Sequence, residues 1–288
     1  AQVLGFVGVD NKGLAGIEAA YDSQISGALG KLLYQTDARG RAFSRLERPP
    51  TAGATVELTI DEYLQHVAER ELRDAVARNR ADAGTLIIMD PKTGEILALA
   101  NEPTFNPNTC SSAAVEQRRN RAVQDIYEPG STFKVVTASA ALEERVIRPD
   151  DIIDVSGGRI RFGARVINDT HDYGSLTFTD VIVRSSNVGA IKVGLALGPE
   201  RLGVYARRFG FGRPLSPDFP GETPGIVWDP TQLDDSALAS MSMGYQVGVT
   251  PLQMVAAVSS VANGGQLMEP HLVRAVIRNG QRTSVLPR

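Results

Sequence analysis

Strand-like segments stand toward the two ends of this 288-residue chain and helix-period segments fill its middle, and that order constrains the fold more than any other feature. Thr55-Val56-Glu57-Leu58-Thr59-Ile60 alternates apolar and polar as a strand does. Asp61 is placed to cap a helix predicted over 62–79, in which Leu64, Val67, Ala68, Leu72 and Val76 recur near helical spacing. Two β-prone runs follow, Thr85–Met89 and Ile96–Ala100. Asp90-Pro91-Lys92-Thr93-Gly94-Glu95 joins them and predicts a hairpin. Helices are predicted over 131–144, 177–185, 188–197, 199–209, 232–243 and 251–262, the last stopped by Asn263-Gly264-Gly265. Short strands are predicted within 156–170 and a final one over 271–277. Strands early, helices in the middle and a strand late imply an α+β fold with a helical subdomain inserted.

Outside that pattern the signal is weaker. Residues 1–54 are rich in Gly and charge with little periodicity, and Arg48-Pro49-Pro50-Thr51-Ala52-Gly53 reads as a linker. A domain boundary is therefore set near residue 50, separating 1–50 from 51–288. The stretch 101–125 is polar and irregular and reads as one long loop, a length uncommon unless functional or mobile.

Composition removes several classes of function. The chain is 42% hydrophobic and 22% charged, enough to bury a sizeable core. A net charge of -3 gives no electrostatic case for nucleic acid, so no nucleic-acid partner is expected. One cysteine, Cys110, permits no internal disulfide and no cysteine-based zinc site, and it reads as an incidental thiol. His66, expected on an exposed helix face, and His171 and His271, beside loops, are too scattered for a His-rich metal site. No apolar run approaches the ~18 residues of a membrane helix, and no signal peptide opens the chain. Its apolar start without Met reads as a processed or trimmed piece.

Only five of the 30 basic residues are lysines: Lys12, Lys31, Lys92, Lys134 and Lys192. Lysine is the basic residue that loses its proton when buried, so each setting carries information. Ser131-Thr132-Phe133-Lys134 is the informative one. On a helix, i and i+3 lie one turn apart on one face, so the Lys amine can reach the Ser hydroxyl. Serine needs an adjacent base to become a nucleophile, and a lysine whose pKa is depressed by burial can be that base. Pro129-Gly130 puts Ser131 at a helix N-terminus, where free N–H groups favour a developing oxyanion. The picture is a buried hydroxyl facing an uncharged amine one turn below. By itself the motif is weak, since a capping Ser and a solvated Lys have the same spelling.

Ser185-Ser186-Asn187 supplies the S-x-N pattern through Ser185 and Asn187. It offers a hydroxyl to relay a proton and an amide to orient a carbonyl, although two helix ends capping each other would read the same. Lys92-Thr93-Gly94 spells the K-T-G that accompanies such motifs, but it precedes Ser131 and sits in a hairpin turn, where its lysine is solvated.

The surroundings of these motifs make the chain resemble the class B penicillin-binding proteins, bacterial D,D-transpeptidases that crosslink peptidoglycan. The similarity extends over nearly all 288 residues. Gly13-Leu14-Ala15-Gly16-Ile17-Glu18 with Tyr21-Asp22 resembles the end of the family's N-terminal pedestal. Leu58-Thr59-Ile60-Asp61 with Leu64-Gln65 resembles the start of the transpeptidase domain, and Met89–Ala98 its first hairpin. Asn120-Arg121-Ala122 and Tyr127-Glu128-Pro129-Gly130-Ser131-Thr132-Phe133-Lys134 resemble the nucleophile motif, and Ser185-Ser186-Asn187-Val188-Gly189 the second motif. Met243-Gly244-Tyr245, Val249-Thr250-Pro251-Leu252-Gln253 and Ala262-Asn263-Gly264-Gly265 resemble the approach to the third.

The resemblance implies the penicillin-binding, serine-transpeptidase fold, an antiparallel sheet flanked by helices, with 1–50 ending the pedestal and 51–288 an incomplete transpeptidase domain. It implies Ser131 as nucleophile, Lys134 as its base, Ser185 as proton relay and Asn187 as the group that binds substrate. Stem peptides ending in D-Ala-D-Ala, β-lactams and a membrane glycosyltransferase are the implied partners, and the implied chemistry needs no metal or organic cofactor. The implied location is the extracytoplasmic face of the inner membrane, with an anchoring helix outside this chain. Two departures stand out. The family's own K-T-G strand is expected after Asn263-Gly264-Gly265, and Arg288 comes first. Gln246 stands where many relatives have Gly. A β-lactamase or β-lactam sensor shares the S-x-x-K chemistry, and a non-catalytic cell-wall scaffold is the reading of a different class.

Overall fold

The computed structural model describes residues 1–36, 38–39 and 42–284, and the side chains of Tyr34, Thr36, residues 42–46, Cys110, Ser111, Ser112 and Ser284 lie outside the description. The reading of Cys110 as an incidental thiol therefore falls outside it too. The chain forms two compact units: residues 1–120, 216–220 and 270–288 make the first, and 121–215 with 221–269 the second.

The first unit opens with small elements that periodicity did not announce. Strands β1 (Phe6–Val7) and β2 (Gly13–Ala15) pair antiparallel, followed by the helical turns α1 (Gly16–Ala20) and α2 (Asp22–Ile25). Strands β3 (Lys31–Thr36) and β4 (Ala42–Arg48) form a hairpin. Leu29, Leu32 and Leu33 stay exposed, so the described side chains of β3 show no one-sided burial for a period-2 pattern to record. The stretch read as a linker is tied down: Thr51 exchanges two backbone hydrogen bonds with Ala28, both 3.0 Å.

From residue 55 the expected elements appear. Strand β5 (Thr55–Leu58) leads to α3 (Glu62–Asn79), whose N-cap is Asp61, accepting from Leu64 N at 2.9 Å. Ala68 and Leu72 of α3 pack on Ala98 and Ala100 of the hairpin β6 (Gly84–Met89) and β7 (Ile96–Glu102). Lys92 and His66 are exposed, as read. The stretch 101–125 is more ordered than a loop. It holds a 3₁₀ turn at Pro107–Ser112 and two helical turns, α4 (Val115–Arg118) and α5 (Arg121–Gln124). Each is too short for a helical period to register.

Strand β12 (Val273–Arg278) pairs on one side with β5 and on the other with β13 (Gln281–Ser284), all antiparallel. Buried Asp218 fastens this sheet. Its carboxylate accepts from Leu272 N at 2.6 Å, Val273 N at 3.1 Å and the Tyr21 hydroxyl at 2.5 Å.

The second unit is mostly helical. It carries two small antiparallel pairs, β8 (Ile152–Asp154) with β11 (Ser175–Thr177) and β9 (Arg159–Phe162) with β10 (Arg165–Asn168). Its helices are α6 (Lys134–Glu143), α7 (Phe178–Val183), α8 (Asn187–Leu197), α9 (Pro199–Arg208), α10 (Asp235–Ser242) and α11 (Pro251–Ala262). Helix α8 is apolar nearly all round, which suits a central position: seven of its residues are buried. The core joins Phe133, Val136 and Ala140 to Leu202, Phe211 and Met241. The rings of Phe133 and Phe211 lie 5.7 Å apart at 40°, and this contact seats the base of α6. Thr250 and Gln253 cap α11 reciprocally.

Candidate active site

The nucleophile segment departs from the single helix expected over 131–144. Gly130 takes a left-handed φ of +57°, and a 3₁₀ turn runs over Gly130–Phe133 before α6 starts at Lys134. The Thr132 hydroxyl donates to the Pro129 carbonyl at 2.7 Å, which occupies an acceptor that an α-turn would use. In a 3₁₀ turn residues i and i+3 eclipse, so Ser131 and Lys134 remain on one side.

Their environments differ sharply. Ser131 is exposed, not buried as expected, because it sits near the start of the turn while Phe133 of the same turn is driven inward. Lys134 is 2% exposed. Burial brings its pKa down to about 8, an effect opposed by the negative charge of Asp169.

The amine of Lys134 has three N–H groups as an ammonium, and all three are taken by the second motif. It donates to the Ser185 carbonyl at 2.7 Å, Ser185 Oγ at 3.0 Å and Asn187 Oδ1 at 2.8 Å. None goes to Ser131. The structure thus brings Lys134, Ser185 and Asn187 into one cluster, with Ser131 a single turn upstream.

Local geometry explains why the second motif presents these atoms. Helix α7 ends at Arg184, and Ser185 adopts a left-handed φ of +55° before α8 begins. That kink turns both its carbonyl and its hydroxyl toward Lys134. Ser186 is the N-cap of α8 and accepts from Gly189 N at 2.9 Å. Asn187 Nδ2 donates to the Asn168 carbonyl at 3.0 Å, which fixes the amide with Oδ1 toward the amine.

Sequence reading missed Asp169. Its carboxylate, carried just past β10, accepts from the Ser186 hydroxyl at 2.6 Å, from Val188 N at 3.0 Å and from Asn187 N. In the sequence it stands in a polar Asn-Asp-Thr stretch that spells a solvated turn, with no signal of its distant partners. Gln246 also finds a physical account: it takes φ +54° and its N–H donates to Glu128 at 2.8 Å. A glycine meets that backbone without strain.

Chemically, the cluster can hold a proton at Lys134 and move it. When the ammonium loses a proton it keeps two N–H groups. The Ser185 carbonyl and Asn187 Oδ1 only accept, so they retain them. Ser185 Oγ is the neighbour able to reverse from acceptor to donor. A proton can therefore pass between the amine and the Ser185 hydroxyl with little side-chain movement.

The Penicillin binding protein transpeptidase domain family matches residues 84–287. This chain belongs to that family. Stage V sporulation protein D of Bacillus subtilis is 38% identical over 285 residues, spanning 95% of this chain and 43% of the relative. Peptidoglycan D,D-transpeptidase FtsI of Escherichia coli is 35% identical over 266 residues, 92% of this chain and 45% of the relative. The chain thus spans less than half the length of these two relatives. A solved penicillin-binding protein 3 of Mycobacterium tuberculosis, complexed with aztreonam, superposes with a TM-score of 0.86 at 31% identity, covering 100% of this chain and 62% of that one. The α+β penicillin-binding fold expected from the sequence is the fold observed. Among the described residues no helix is long and apolar enough to cross a membrane.

Proposed function

We propose that this chain carries the acylation chemistry of a peptidoglycan D,D-transpeptidase. The observation that supports this most is the buried amine of Lys134, whose pKa burial lowers to about 8, so that part of it is neutral near physiological pH, and which is bonded to Ser185 and Asn187. The names of the FtsI relative and of the aztreonam complex support the same chemistry.

In this reading Ser131 attacks the carbonyl carbon between the last two residues of a D-Ala-D-Ala stem peptide, and its proton goes to the neutral amine of Lys134. The backbone N–H of Ser131, at the free start of its turn, donates to the oxyanion; such a donor contributes ~2.7–4 kcal/mol. As the carbon–nitrogen bond breaks, Ser185 relays the proton from Lys134 to the departing D-Ala amine. The acyl group stays on Ser131, held by the remaining N–H of Asn187. An amine from a neighbouring stem peptide then attacks the ester carbon and gives up a proton to Lys134, which passes it to Ser131 Oγ as the carbon–oxygen bond breaks. A β-lactam follows the first half of this path and stays attached.

Residues 1–50 are the end of the pedestal in this reading, and 51–288 belong to the transpeptidase domain. The protein works at the extracytoplasmic face of the inner membrane beside a membrane glycosyltransferase. The test is labelling with a fluorescent penicillin and mapping of the adduct by mass spectrometry. Stable label on Ser131, lost in Ser131→Ala and in Lys134→Ala, is the expected result. Label elsewhere overturns the reading, and rapid turnover of a chromogenic cephalosporin replaces it with a β-lactamase.

A further inference from the structure

The second motif does not hold its own shape. Ser185 is in the left-handed region, and α8 starts two residues later with its first N–H groups unpaired by the helix itself. Ser186 caps Gly189 N only. What remains is supplied from a different element by Asp169, 16 residues before Ser185 in the sequence. One carboxylate oxygen accepts from the N–H groups of Asn187 and Val188, and the other from the Ser186 hydroxyl. Asp169 is itself fixed, its own N–H donating to the Gly158 carbonyl at 2.8 Å. The neighbouring Asn168 carbonyl holds the Asn187 amide.

We propose that Asp169 is a positioning residue for acylation of Ser131: its carboxylate clamps the Ser186–Val188 turn in the orientation that delivers Ser185 and Asn187 to the Lys134 amine. The proposal rests on the acyl-transfer reading above. It assigns to the β9–β10 hairpin a task in the site, because that hairpin carries the clamp. Loss of the clamp frees the turn at its strained residue, and the three acceptors of Lys134 disperse together.

Asp169 also acts on Lys134 by charge, keeping the amine more basic than burial alone would leave it. Several other charged groups on elements packed around α6 have separate partners. Arg184 after α7 lies over the Tyr173 ring at 5.5 Å, and Lys192 of α8 donates to the Asp154 carbonyl. Arg201 of α9 faces Glu144 at 3.6 Å. Glu128, before the 3₁₀ turn, receives Gln246 N. Glu143 and Glu144 lie at the far end of α6.

Three variants separate clamp from charge from fold. Asp169→Asn keeps the shape and one acceptor oxygen but removes the charge. Asp169→Glu keeps the charge and moves the carboxylate by one methylene. Ser186→Ala removes one bond and leaves the charge. Each is read by thermal unfolding, by the rate of penicillin acylation against pH, and by carbon-13 titration of the Lys134 side chain, its resonance assigned by loss in Lys134→Ala. The limiting rate at high pH is expected to fall about tenfold to a hundredfold in Asp169→Asn and Asp169→Glu, and less in Ser186→Ala. Asp169→Asn is also expected to move the acid limb, and the Lys134 titration with it, to lower pH. Ser186→Ala leaves both where they are.

Acylation within twofold of wild type in both Asp169 variants overturns the proposal. So does a lowered melting temperature in Asp169→Asn with neither the limb nor the Lys134 titration moved, since that marks a fold residue alone. If the wild-type protein takes no label on Ser131, the acyl-transfer reading fails separately, and an unmoved Lys134 titration in Asp169→Asn still decides against the clamp's charge on that amine.

Discussion

Gly130 and Gly244 meet backbone to backbone beneath the nucleophile turn: Gly130 N donates to the Gly244 carbonyl at 2.9 Å, and a Cβ on Gly244 would stand 2.0 Å from the Gly130 carbonyl oxygen. Gly244 also has φ +86°. Space and backbone angle both demand glycine there. Gly244→Ala is expected to lose about 2 kcal/mol or more of stability. It also pushes the residue before Ser131, so acylation falls further than stability does. Urea unfolding and penicillin labelling of the same samples check this.

The pH dependence of acylation follows from Lys134. A base must be neutral, and burial brings this amine to about 8. The labelling rate of the wild-type protein is expected to rise through pH 7 and 8 and level off above. A flat profile from pH 6 to 10 rules out Lys134 as the base.

Stability depends on the same group with a definite sign. The folded pKa lies below the ordinary value of 10.5. Between about pH 8 and 10.5 the unfolded chain therefore holds a proton that the folded one lacks. Unfolding free energy then rises with pH by up to about 1.4 kcal/mol per unit across that window, and below it the full cost of burying the charge is present. Lys134→Met is expected to lack this slope. Denaturant unfolding at pH 7, 8, 9 and 10 of the two proteins makes the comparison.

Gln246 occupies a left-handed backbone while its N–H serves Glu128. Gln246→Gly keeps that N–H and relieves the angle. A gain of about 0.5–1 kcal/mol is expected, net of the added freedom of the unfolded chain. A denaturant midpoint lower than wild type counts against it.

Asp218 closes the sheet of the first unit by receiving Leu272 N, Val273 N and the Tyr21 hydroxyl. Asp218→Ala leaves those donors unpaired among buried neighbours, at a cost of about 3 kcal/mol. Amide exchange at Leu272 and Val273 should accelerate in the variant while residues of α8 keep their protection.

Much of the helical frame could be read from residues alone. Helix α3 and its Asp61 cap, the β6–β7 hairpin and α11 fall where periodicity and capping put them, because each is long and its signals lie within a few residues. Residues 1–54 and the turns between 107 and 124 were opaque. The elements before β3 and between 107 and 124 run only two to six residues, and in β3 the adjacent Leu32 and Leu33 are both exposed, so no period marks a buried face.

For the site, the sequence by itself singled out the candidate residues: Ser131 and Lys134 three apart, Ser185 and Asn187 two apart, with proline and glycine to start the turn. Those are local spacings, and local spacing survives folding. Only the tertiary structure decided that the Lys134 amine is spent on Ser185 and Asn187, that Ser131 is exposed, and that Asp169 holds the second motif from another element. Lys134 meets Ser185 across 51 residues, and Asp169 reaches the second motif from a different element, so no helical or strand period along the chain records these contacts.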